Sequence, residues 1–126
     1  MAFAYVDTSC LVAIAFEERG ATALARRLEK FDDLFASNLL EAELRATFLR
    51  EGIEGDPAIL GAVSWIVPDR PLSGEITAVL NAGHVRGADC WHLATALYVA
   101  EDPSELSFLT LDARQRAVAT ALGFRT

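Results

Sequence analysis

The sequence predicts an α/β fold in three layers, with a mostly parallel central sheet of four to five strands and helices on both faces. Three observations predict it. Short apolar runs alternate with segments of helical periodicity. Strands separated by helices need crossover connections, which call for parallel pairing. And 126 residues, 52% of them hydrophobic, can build one sizeable core without disulfide or metal staples, so residues 1–126 read as a single domain.

Taken in order, residues 3–6 are a short apolar run ended by Asp-Thr-Ser, a strand and a tight turn, and residues 10–16 continue as a helix that Thr8 or Ser9 could cap. Gly20 opens a second helix, with Leu24, Leu28 and Phe31 on one face and Arg19, Arg26 and Lys30 on another. Asp32-Asp33 breaks it and residues 34–36 form a strand. Ser37 or Asn38 then caps a third helix running to about Glu51. Gly55-Asp56-Pro57 signals a turn, residues 58–66 look helical and residues 66–67 strand-like. The loop 68–71 leads to Ser73 as N-cap of a helix ending near Gly83. A helix over 88–100 carries Leu93, Ala96, Leu97 and Ala100 as its apolar stripe. Residues 107–111 read as a buried strand, 113–122 as a last helix stopped by Gly123, and 124–126 as a final edge strand.

Charge narrows the function classes. The chain carries 18 Asp and Glu against 11 Lys and Arg, a net −7, so no basic nucleic-acid clamp is visible and any polyanion must be met by cations from elsewhere. Cys10 and Cys90 stand alone, which excludes a zinc knuckle or C-x-x-C redox motif and suits a reducing cytoplasm. The apolar N-terminus has no basic leader, carries Asp7 in its middle and is too short to span a bilayer. It reads as core, with no membrane role expected.

Parallel α/β sheets place their sites beyond the carboxyl ends of the strands. Asp7 follows the first strand and Asp112 the Phe-Leu-Thr-Leu strand, so both fall at the same edge. Asp7 is the only charge between Met1 and Phe16, where a carboxylate needs hydrogen bonds or a cation. Backbone N–H groups of Ser9 or Cys10 would satisfy it as a cap. Asp112 begins Asp-Ala-Arg-Gln, a capping-box pattern. Asp89 lies on the apolar side of its helix at the N-terminal end, explained by capping, by an ion pair with Arg86, or by a site. Glu41 and Glu43 open the third helix. Glu41 stands four residues before Arg45, a helical ion pair, while periodicity alone leaves open which acid faces the site. Acids gathered at one edge repel one another, and the remedy is a hard cation with oxygen ligands, magnesium or manganese, of which two would offset more than half of the net charge.

The pieces Tyr-Val-Asp-Thr-Ser at 5–9, Ser-Asn-Leu-Leu-Glu-Ala-Glu-Leu at 37–44, Arg-Gly-Ala-Asp-Cys-Trp-His-Leu-Ala-Thr-Ala-Leu at 86–97 and Phe-Leu-Thr-Leu-Asp at 108–112 resemble the PIN-domain family, in particular the VapC-type toxins of type II toxin-antitoxin pairs. The resemblance implies that Asp7, Glu43, Asp89 and Asp112 are the catalytic acids that bind Mg2+ or Mn2+, with Asp7 and Asp89 as direct ligands and Glu41 in reserve. Thr8, Ser9 and Thr110 lend polar support. The implied activity is that of an endoribonuclease in which metal-activated water cleaves RNA phosphodiesters. Arg45, Arg86 and the Arg19/Arg26/Lys30 row are possible RNA-backbone contacts, each equally explained by surface solvation. A small antitoxin protein and a homodimer are the implied partners. His92, among core residues, reads as a hydrogen-bonded structural histidine in preference to a base or a zinc ligand with Cys90.

Rivals are weaker. A phosphatase with an Asp-x-Asp nucleophile lacks its second acid at Ser9, and a receiver domain lacks its lysine, the only one here being Lys30. The remaining alternative is a catalytically silent PIN-like protein-binding module. Relief of like-charge repulsion predicts that Asp7→Asn and Asp89→Asn lose cleavage but keep or even stabilise the fold.

Overall fold

A computed structural model describes residues 1–54 and 60–126. Four parallel strands, β1 (Phe3–Val6), β2 (Asp33–Ser37), β3 (Ser64–Ile66) and β4 (Leu106–Leu109), form a sheet in the order β3-β2-β1-β4. Strand alternation divides the core into two halves. Ala4, Val6, Ala36 and Leu109 face helices α1 (Thr8–Ala15), α2 (Ala21–Leu28) and α3 (Asn38–Arg50), meeting Leu11, Leu28, Leu40, Leu44 and Phe48. Tyr5, Leu106 and Phe108 face α4 (Ser73–Ala82), α5 (Gly87–Val99) and α6 (Ala113–Ala121), meeting Val79, Leu93, Ala96 and Val118. Helices therefore cover both faces, as predicted. The apolar N-terminal run is core, and among the described residues no helix is long and apolar enough to cross a membrane.

Four local expectations change. Asp7, not Thr8 or Ser9, is the N-cap of α1, because its carboxylate takes the Ser9 N–H at 3.3 Å and lets the helix begin at Thr8. Ser73 is the first residue of α4 and not its cap; Leu72 holds that position with no side-chain hydrogen bond. The helix read over 58–66 cannot run that far, since Ser64, Trp65 and Ile66 pair with Phe35, Ala36 and Ser37 as β3. A short apolar run satisfies either periodicity, and here the open edge of β2 decides. The Gly55-Asp56-Pro57 turn lies outside the described residues. Finally, residues 124–126 give not an edge strand but a single parallel bridge, Ser107 to Arg125, with Phe124 buried beneath it. Of the two proposed caps for α3, Ser37 serves, its Oγ accepting the Leu39 N–H at 3.2 Å.

The strand order has one further consequence. From β1 the chain moves to β2 on one side, while β4 returns to the other, so the order reverses between β1 and β4. In open α/β sheets a crevice opens at such a switch point, outside the carboxyl ends of the strands.

Candidate active site

Asp7 leaves β1 at this switch point, its N–H bonded to Leu109 O of β4 at 2.9 Å. Its Oδ2 accepts from Ser9 N at 3.3 Å, Ser9 Oγ at 2.7 Å and Thr110 Oγ1 at 3.1 Å. The capping explanation is thus correct for one oxygen. Oδ1 accepts no hydrogen bond among the described residues, and His92 Nε2 lies 4.0 Å from it. Asp7 is 5% exposed, yet no buried side-chain oxygen or nitrogen among the described residues lacks a partner, so Oδ1 reaches the open edge.

Asp112, exposed, caps α6 by accepting the Gln115 N–H on Oδ1 at 2.9 Å. The capping box predicted for this turn forms only by half. The Gln115 side chain turns instead to Thr110 Oγ1 at 2.7 Å and Asp89 O at 3.5 Å, while Thr110 Oγ1 accepts the Asp112 N–H at 3.1 Å. Buried Gln115 therefore links the β4 end to the first turn of α5, a role with no signal in sequence beyond its place in the Asp-Ala-Arg-Gln pattern.

Asp89 sits in that first turn of α5, partly buried. Neither of its bland explanations holds. Arg86 is the N-cap residue and makes no side-chain cap bond, and among the described residues Asp89 has no ion pair with Arg86. Burial first, and then the negative charges of Asp7, Asp112 and Glu43, hold the Asp89 carboxyl above its ordinary range, with His92 acting the other way.

On α3 the two acids part. Glu41 pairs with Arg45 at 2.7 Å at the surface, as its spacing predicted. Glu43 turns inward, its Oε1 accepting from Thr8 Oγ1 at 2.9 Å and lying 2.7 Å from His92 Nε2. The hydrogen bond from His92, above all, holds the Glu43 carboxyl below its ordinary range. His92 is fully buried, as the core reading required, but it also touches Tyr5 Oη through Nδ1 at 3.0 Å and so belongs to the site's wall. Cys90 is core, and burial raises its thiol.

The structure thus brings Asp7, Glu43, Asp89 and Asp112 to one edge, with Thr8 on Glu43 and Ser9 and Thr110 on Asp7. Arg45 is engaged by Glu41, and Arg86 is exposed one turn from Asp89. Arg19, Arg26 and Lys30 lie exposed on and beside α2. Sequence reasoning missed Arg116, whose Nη2 donates to Thr110 O at 2.7 Å beside the acids.

A four-stranded parallel α/β sheet with carboxylates from four elements converging on its switch point defines the class of domain. Residues 4–121 match the PIN domain family, and the chain belongs to it. PIN domains are in general nucleases, hydrolases that typically use divalent metal ions. No curated protein and no solved structure matched the chain.

The donor set suits such an ion. It is all oxygen, no cysteine thiol is bonded to it, and each of the four acids keeps at least one oxygen without a hydrogen bond among the described residues. As the side chains stand, no three His, Cys, Asp or Glu among the described residues are gathered tightly enough to hold an ion. Glu43 is drawn toward His92 and Asp112 toward the α6 cap.

Proposed function

We propose that this protein is a divalent-metal-dependent endoribonuclease of the VapC type, the toxin of a toxin-antitoxin pair. One observation carries the reading: four carboxylates, from the end of β1, α3, α5 and the β4–α6 turn, lie at the same sheet edge, each with an oxygen to spare among the described residues. Structural capping accounts for parts of Asp7 and Asp112 and for nothing at Asp89.

In this reading Asp7 and Asp89 hold Mg2+ or Mn2+ directly, and Glu43 and Asp112 complete the set. A bound divalent ion would supply positive charge for a phosphodiester and lower the pKa of attacking water. The chain's own groups do the rest. Ser9 and Thr110 fix Asp7 through Oδ2, leaving Oδ1 to face outward. Thr8 and His92 fix Glu43 through Oε1. Arg86, at the mouth of the site, and Arg45, once released from Glu41, are the cations proposed to meet the RNA backbone. The same reading expects a small antitoxin and a homodimer, the latter measurable by light scattering.

The test is cleavage of a mixed structured RNA pool by purified protein with manganese, with chelator, and with Asp89→Asn, the cut ends read by sequencing. Metal-dependent cuts that fall at least about 100-fold in the variant, the scale of a lost catalytic carboxylate, are expected. Well-folded protein that makes no cuts yet binds manganese points to a missing substrate. Protein that does neither is the silent binding module.

A further inference from the structure

His92 is 0% exposed, with Tyr5 Oη at 3.0 Å and, more distantly, Ser37 Oγ at 3.5 Å beside Nδ1, and Glu43 Oε1 at 2.7 Å and, more distantly, Thr8 Oγ1 at 3.5 Å beside Nε2. Tyr5 Oη, 3.0 Å from Nδ1, itself accepts the Ser37 N–H at 3.1 Å. Burial holds the Tyr5 phenol well above its ordinary range, so its one O–H is present and free to donate to Nδ1. A neutral imidazole that accepts at Nδ1 carries its proton at Nε2. That Nε2–H points at Glu43 Oε1, 2.7 Å away; the other tautomer would set a lone pair against a carboxylate at this distance. With Thr8 Oγ1 donating to the same oxygen at 2.9 Å, Oε1 is taken twice, while Oε2 has no partner among the described residues.

We infer that His92 is a positioning residue: held by Tyr5 as the Nε2–H tautomer, it clamps Glu43 Oε1 from within the core and reserves Oε2 for a divalent cation. The inference rests on the nuclease reading above. Of the four acids, the two-methylene side chain of Glu43 has the most rotamer freedom to lose on ordering, so it gains most from a fixed donor. Donors that orient a metal-binding carboxylate raise metal affinity without touching the ion. A satisfied core histidine with no such role could spend its Nε2–H on a backbone carbonyl. This one spends it on a carboxylate that is 34% exposed at the site's edge.

The experiment compares wild type, His92→Leu, His92→Gln and Tyr5→Phe in three readouts: manganese titration without RNA, kcat and KM on RNA, and the imidazole nitrogen NMR spectrum. His92→Leu is expected to bind manganese about 10–100-fold more weakly, with kcat falling and KM for RNA little changed. His92→Gln, whose side-chain N–H can reach the same carboxylate, restores most of the affinity. The wild-type spectrum shows protonation at Nε2 alone, and Tyr5→Phe admits the second tautomer. An Nδ1–H tautomer in wild type overturns the clamp, as does wild-type manganese affinity in folded His92→Leu. Should His92→Leu fail to fold, unchanged affinity in Tyr5→Phe with a mixed-tautomer spectrum overturns it equally. Wild type that neither binds manganese nor cuts RNA overturns the nuclease reading itself, whereas wild type that does both beside a folded His92→Leu of unchanged affinity overturns the clamp alone.

Discussion

Asp7 and Asp89 carry the same charge at the same edge but are held by different forces, so the same substitution should act on them in opposite directions. Asp7 Oδ2 takes Ser9 N, Ser9 Oγ and Thr110 Oγ1, bonds strengthened by its charge, and Asp7→Asn weakens them. A loss of about 1–2 kcal/mol is expected, which revises the sequence-based expectation of an intact or stabilised fold. Asp89 has no such partners, and its raised pKa means that the folded state binds its proton more tightly than the unfolded chain. Ionising it therefore costs stability as pH rises from the ordinary carboxylate value through the folded one. In chelator at neutral pH, Asp89→Asn should gain up to about 1 kcal/mol, roughly 4 °C, and the gain should vanish at pH values below the ordinary carboxylate range. Melting curves of both variants across pH measure this, and a gain at Asp89 that persisted in acid would assign it to packing and not to charge. The four acids were legible in sequence because chemistry and chain order mark them. Which glutamate turns inward was marked by the resemblance but not by periodicity, since the physical reason is His92, contributed from 49 residues away through Tyr5 and Thr8. Gln115 and Arg116 were hidden for the same reason: their partners, Thr110 Oγ1 and Thr110 O, become neighbours only when α6 docks against β4.

Elements with a strong local pattern formed where the sequence placed them. The apolar runs of β1 and β4 are buried between helices on both faces, and the Leu24/Leu28/Phe31 stripe turns to one core half. The misplaced ends have other causes. The β3 strand and the 124–126 segment are decided by groups from elsewhere, β2 on Ser64–Ile66 and β4 on Arg125, while the α1 cap is decided locally by Asp7 on the Ser9 N–H. One junction between elements is tight enough to test. Gly83 closes α4, its N–H bonded to Val79 O at 3.2 Å, and a Cβ there would stand 2.8 Å from Val118 Cγ2 of α6. Its φ of 168° is ordinary extended backbone, so the constraint is contact and not strain. Val118 is β-branched, 5% exposed and in the core, with little room to rotate away. Gly83→Ala should cost about 1–3 kcal/mol through overpacking, measured as a lower urea midpoint with unchanged m-value. The double variant Gly83→Ala/Val118→Ala should recover part of that, since the clashing methyl is gone.

At the scale of the whole molecule, a net charge of −7 makes any cation stabilising by screening, and the specific ion must be separated from that background. The acids at the switch point supply the separation. Screening acts on the exposed charges spread over the surface and depends on ionic strength, not on which salt provides it. A bound ion acts only on the folded state, by mass action: at about 100 times its Kd it contributes about 2.7 kcal/mol, roughly 10 °C for a chain of this length. Manganese added at fixed ionic strength should therefore raise the melting temperature of the wild type and reverse with chelator, while sodium at equal ionic strength should not. Asp89→Asn starts higher in chelator, because the repulsion is already relieved, and then gains little from manganese, so the two melting curves should cross as metal is added. Parallel curves would mean that the ion binds elsewhere on the acidic surface. Crossing curves would tie the metal, the repulsion at Asp89 and the stability of the fold to the same sheet edge.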